Sequence, residues 1–305
     1  MLVEPPNPSD SEGDLLPRSV LVVTAFVAAS TLAAVSLLGP LWLNVIQHRT
    51  SASVASQAAG QDLVDLLLIT PILVVGGVLL LLRRDGAKYF LVLSPIALMY
   101  TGLSYGLGQE WGNPAYPGNV ERFSALFLIL IVAGLVLTIG SLSLFRPEDA
   151  PPFRTRSLRL YVAAVSLLLL MFAAMWAGEL VEVISTGDVS TGAYRETPNV
   201  WWVIRYLDLG VTIPVGFLAL FLLLSRPSRA YPLVLLFFGF FVTLGSAVTA
   251  MAFVMLVRAD PTLQPGGLVI FPLLTAMAWA GLLYLVKQKI PWLAGRRGKA
   301  PSGGV

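Results

Sequence analysis

Eight long apolar stretches separated by short polar segments constrain this chain more than any other feature. They lie at about 19–45, 62–82, 89–108, 124–145, 160–182, 201–225, 231–256 and 268–286. A hydrocarbon core about 30 Å thick takes roughly 20 apolar residues per spanning helix. Inside it each span must pair its own backbone groups, which leaves helices or closed barrels. Barrel strands alternate over short segments, and the run Leu79–Leu82 does not. The expected fold is an all-α integral membrane protein with eight transmembrane helices. Only 12% of the residues are charged, about half the share of an ordinary soluble domain, which points to the same solvent.

The chain has no cysteine and a single histidine, His48. Thiol chemistry, thiolate metal sites and His-rich zinc or haem sites are therefore not expected. The net charge of +3 is no nucleic-acid signal, because in a membrane protein the placement of charge outweighs its sum. One set of loops, with the two tails, holds Arg18; Arg83, Arg84 and Lys88; Arg146, Arg154, Arg156 and Arg159; Arg226 and Arg229; and Lys287, Lys289, Arg296, Arg297 and Lys299. The alternate loops hold only Arg49, Arg122, Arg195 and Arg258. Cytoplasmic loops retain the basic residues, so both termini are expected in the cytoplasm, with the chain a multi-pass protein of a bacterial inner (plasma) membrane. The first stretch follows an acidic tail and exceeds a signal-peptide core; the Ala-rich segment 51–60 still offers cleavage sites as an alternative. Both tails have the composition of disordered segments.

A pattern recurs inside the chain. Asp65-Leu66, Pro71 and Arg83 reappear as Asp208-Leu209, Pro214 and Arg226, each 143 residues later. The same shift places Gly102 on Gly245 and Arg146 on Lys289. Asp and Pro are scarce in spanning helices, so their shared spacing carries weight that leucine matches do not. The expected organisation is two parallel four-helix repeats: a tail (1–18), a first unit (19–145), a cytoplasmic linker (146–159), a second unit (160–287) and a basic tail (288–305). Pro71 and Pro214 fall near mid-span and predict kinks.

Charged residues within spans are costly and mark candidate sites. Asp62 and Asp65 share one helix face, as do Arg205 and Asp208, and as do Glu179 and Glu182 at the end of the fifth helix. Tyr105, Gln109 and Glu110 end the third. All fall toward the outer surface under the expected topology. The functional reading is a carboxylate-lined outer vestibule between the halves, with Arg205 pairing an aspartate or gripping an anion. The structural reading makes Asp62 and Asp65 helix-start residues and Arg205–Asp208 an i,i+3 pair locking the sixth helix to the second. Trp42, Trp111, Trp176, Trp201 and Trp202 read as an interfacial aromatic belt, and Gly76, Gly77, Gly102, Gly106, Gly108 and Gly245 as packing contacts.

Two aspartates at one depth raise the chemistry of an aspartyl protease dyad, but the protease motifs Gly-x-Gly-Asp and Pro-Ala-Leu are absent. His48 stands alone on a loop, too little for a serine hydrolase, and no phosphate-binding loop is present. The sequence thus gives little support to any enzyme, and no cofactor or metal is expected. Over about half its length the chain resembles a family of bacterial multi-span membrane proteins without assigned function. The resemblance rests on Gly60-Gln61-Asp62-Leu63-Val64, Arg83-Arg84-Asp85-Gly86, Tyr100 through Tyr105-Gly106 with Asn113-Pro114, and Leu207-Asp208-Leu209-Gly210 with Pro214. It draws attention to Asp62 and Asp208 and supplies no catalytic roles.

The working expectation is a small-solute or ion transporter. Asp62, Asp65, Arg205 and Asp208 would line its site, with Tyr105, Glu110, Glu179 and Glu182 as further members. Its partners would be the lipid bilayer and a small solute or cation, not nucleic acid. The alternative is a non-transporting scaffold, sensor or assembly component whose ion pairs are structural.

Overall fold

The computed structural model describes residues 15–189 and 193–287; most of the acidic tail and all of the basic tail lie outside them. Among the described residues the chain is helical, with no strand. Eight helices are long and apolar enough to cross a membrane: α1 (Arg18–Leu38), α2 (Ala52–Leu81), α3 (Ala87–Leu107), α4 (Val120–Ser143), α5 (Thr155–Thr186), α6 (Pro198–Ser225), α7 (Pro227–Val257) and α8 (Gly267–Val286). The protein is a polytopic, membrane-embedded helical bundle. The end of the bundle bearing the α1–α2 connection is called the rim face below, and the end bearing Arg83 and Arg84 the basic face.

Two boundaries differ from the hydropathy reading. Helix α1 stops at Leu38, where Gly39 closes the last turn onto the Val35 carbonyl (2.8 Å) and Pro40 follows; proline cannot continue the ladder. Helix α2 starts at Ala52, ten residues before the apolar run. Ser51 caps it by accepting from the Val54 N–H, which satisfies a donor left free at a helix start. The segment 52–61 is rich in Ala, Ser and Gln, so hydropathy passes over it. Its small side chains are what seat it on α7: a Cβ on Gly60 would fall 2.5 Å from the Met251 backbone nitrogen. The Ala-rich stretch is thus a helix–helix seam of the kind small residues permit between spans.

Helix α7 is the core element, with 61% of its apolar window buried against 17% in α5 and 22% in α8. It packs on α2, α8, α6 and the second part of α3. Helix α3 is broken at 92–94, and its second part opens on Pro95, whose missing N–H costs no hydrogen bond at a first helical position. Gly239 of α7 fits against the Leu93 backbone at that break.

Both proline-bearing spans carry the same local distortion. Five residues in α2 (Asp65–Ile69) and five in α6 (Asp208–Thr212) form a π-helical turn, each ending just before the turn that carries Pro71 or Pro214. The Thr70 and Ile213 amides reach back five residues, to the carbonyls of Asp65 and Asp208. A proline ring clashes with the carbonyl four residues earlier; widening that turn relieves the clash and keeps the span hydrogen-bonded. The two turns begin 143 residues apart, the shift found in the sequence. Gly102 and Gly245 occupy like places as well: the first abuts Phe127 and Ile131 of α4, the second Thr275 of α8.

Candidate functional site

A cavity of about 600 Å³ lies between α2, α3, α5, α6, α7 and α8. Exposed Glu196, Thr262 and Gln264 are among its lining residues, so it opens on the rim face. Its size falls within the ordinary range for small-molecule sites. Much of the wall is apolar, including Phe172, Met175, Phe241, Val248, Met251 and Leu274. The polar part is concentrated on α6 and the residues facing it.

Arg205 lies between two indole rings, its guanidinium carbon 3.9 Å from the Trp176 centroid and 4.4 Å from that of Trp201. Its Nη2 is bound to Glu179 of α5. Each cation–π contact contributes about 0.5–2 kcal/mol, so the side chain is fixed from three directions. Asp208, one helical turn further on, is 2% exposed. It accepts hydrogen bonds from the Trp176 indole N–H (2.8 Å) and the Tyr100 hydroxyl (3.3 Å). The expected Arg205–Asp208 pair therefore does not form. The guanidinium reaches across to α5, and it fastens α6 to that helix and not to α2. Trp176 and Trp201, read from the sequence as belt residues, line the cavity instead; Trp201 is 3% exposed. Trp42 and Trp111 are exposed, at 74% and 48%, as a belt requires.

The first-half acids occupy a different place. Asp62 and Asp65 are fully buried, and neither is a cavity-lining residue. The Asp62 carboxylate accepts from the Tyr105 hydroxyl at 3.0 Å, with Gly39 at the end of α1 close behind it, where a Cβ would come within 2.6 Å. Asp65 accepts from Gln61 Nε2 at 2.6 Å. Gln61 and Tyr105 do line the cavity, so the acid pair stands one side chain behind its wall. Neither aspartate faces lipid.

Glu110 reaches over the start of α6, where its Oε1 accepts from the Asn199 amide (2.9 Å), while Asn199 Nδ2 donates to the Gln109 carbonyl (2.8 Å). Burial pushes the Glu110 carboxyl up, against the pull of the α6 amides. It thereby caps α6 and is not a cavity-lining residue. Glu182 also lies outside the lining, on the last turns of α5, where its carbonyl accepts from the Ser185 and Thr186 hydroxyls.

His48, Gln109 and Tyr105 form a compact group at the cavity edge. The Gln109 side-chain amide spans His48 Nδ1 (3.1 Å) and the Tyr105 carbonyl (2.8 Å), and the imidazole meets the Tyr105 ring edge-on at 4.8 Å. Burial pushes the His48 imidazole down to about 4, so it is neutral near pH 7. With the Gln109 amide donating to Nδ1, the proton sits on Nε2. Sequence reasoning named Tyr105 but missed Tyr100, Gln61, His48 and Gln109 as lining residues. The available signals were Gln57 and Gln61, four apart on one helix face, and Trp176, three before Glu179.

Among the described residues, no three His, Asp or Glu side chains converge as metal ligands. Compared with known protein families, curated proteins and solved structures, the chain matches none.

Proposed function

We propose that this protein binds a small solute in the rim-face cavity and transports it, with the rim face outward and both termini cytoplasmic. One observation carries the reading. A single cavity is walled by helices from both halves of the chain, and a buried carboxylate, Asp208, stands in its wall on the π-helical turn of a proline-bearing span. Non-ideal backbone beside a cavity is where membrane transporters place their sites. The paired π-turns and the matching Gly102 and Gly245 contacts support an internal duplication that relates the two halves.

The absence of cysteine makes the test clean. Cysteine placed at Ser104, on the cavity wall, is expected to react with a membrane-impermeant methanethiosulfonate from the outer face. A transporter also exposes it, more slowly, to reagent on the opposite face. Reaction from the outer face alone ends the transport reading.

The scaffold reading has one observation in its favour: Asp62 and Asp65 are sealed from the cavity and hydrogen-bonded to neighbouring side chains, as structural groups are.

A further inference from the structure

We infer that the occupant of the rim-face cavity is an amphipathic organic cation, a single positive charge carried on an apolar body; this rests on the solute-site reading above. The charges decide the sign. The described lining residues include three acids, Glu179, Glu196 and Asp208, against one base, Arg205. Arg205 is matched by Glu179, and among the described residues Asp208 has no ion-pair partner; its two oxygens accept from neutral donors, Trp176 and Tyr100. His48, also on the wall, is neutral at pH 7 and adds nothing. A buried carboxylate in a low-dielectric site attracts a cation far more strongly than one in water does.

The wall decides the body. Tyr100, Trp176, Phe172 and Phe241 lie on the lining together with methionines 175, 251 and 255, and the Trp176 ring already carries one cation, Arg205. Aromatic rings attract cations through their faces, and flexible thioethers adapt to apolar shapes of varied outline. A bare metal ion would leave this apolar surface unused, and a purely apolar ligand would leave Asp208 unmatched.

An anionic occupant is the rival. Arg205 Nε and Trp201 Nε1 are buried donors without a partner, and an anion could accept from them. It would have to do so beside Glu179 and Asp208, where like-charge repulsion opposes it.

The test uses the full chain in lipid nanodiscs and equilibrium dialysis, with empty nanodiscs subtracted. Tetraphenylphosphonium is the cationic probe, triphenylphosphine oxide the neutral one of similar shape, and tetraphenylborate the anionic one. Tetraphenylphosphonium is expected to bind saturably and at least tenfold more tightly than the neutral probe. Asp208→Asn is expected to remove that preference while apolar binding persists. Equal binding of the cationic and neutral probes overturns the cation assignment but leaves a solute site. Preferential binding of tetraphenylborate overturns it in favour of the anion. No saturable binding of any probe overturns both the assignment and the solute-site reading. The probe comparison on the unaltered chain decides the matter even where Asp208→Asn fails to fold.

Discussion

Tyr100 and Tyr105, five residues apart on α3, each hold a buried aspartate of a different helix: Tyr100 donates to Asp208 of α6, and Tyr105 to Asp62 of α2. Helix α3 is thus the hydrogen-bonding link between the two acid-bearing spans. The two bonds differ in length, 3.3 against 3.0 Å. They differ in setting too, since Asp208 has a second donor in Trp176 and lines the cavity. Tyr105→Phe removes a buried donor from a fully enclosed carboxylate and is expected to cost about 1–3 kcal/mol. Tyr100→Phe is expected to cost under about 1 kcal/mol. Thermal unfolding in one detergent measures both, and the reverse order would contradict the assignment of Asp62 to the packed interior.

Arg205 and Glu179 join α6 to α5. Breaking a partly buried pair leaves one charge unmatched, so Arg205→Gln and Glu179→Gln are each expected to destabilise by roughly 2–3 kcal/mol. The double variant should lose much less than the sum, with a coupling energy of about 1–2 kcal/mol in a double-mutant cycle. Full additivity would show that the pair contributes nothing.

Gly60 and Gly210 offer a paired test of packing. A methyl at Gly60 meets Met251 backbone, which cannot move aside, whereas at Gly210 nothing lies within 4 Å. Gly60→Ala is expected to cost about 1–3 kcal/mol by overpacking. Gly210→Ala should be neutral or mildly stabilising, because alanine restricts the unfolded chain. Parallel melting curves settle the comparison.

The His48 imidazole is held down to about 4, against an ordinary value near 6.5 in the unfolded chain. Between these values the unfolded state binds the extra proton, so stability falls as pH drops through that window and is fully present above it. After allowance for residual water access the loss is on the order of 2 kcal/mol. His48→Gln should flatten the melting temperature between pH 6.5 and 4. An unchanged acid slope would assign the effect to other groups.

Much of the fold was legible in the sequence because lipid asks for a simple quantity, a long apolar run, and all eight spans announce themselves that way. What hydropathy could not read was the first part of α2, whose Ala, Ser and Gly residues fit another helix instead of lipid. The site was half legible. Asp208, Arg205, Glu179 and Tyr105 stand out as polar groups in an apolar context, and all four line the cavity. Their pairing did not follow from spacing, because residues three apart on one helix can each find a nearer partner on a neighbour. Trp176 and Trp201 were hidden by a sound generalisation: tryptophan near a membrane boundary normally serves the interface, and only the packing of α5 against α6 turns these two inward.

The seam between α2 and α7 has a consequence for stoichiometry. If the halves are duplicates, the 143-residue shift puts Trp201, Trp202 and Val203 of α6 where α2 has Ala58, Ala59 and Gly60. Small side chains close the α2–α7 junction, whereas Trp201 at the matching place in α6 lines the cavity. The doubled plan therefore does not double the rim-face cavity, so a titration of that cavity should saturate at one equivalent per polypeptide.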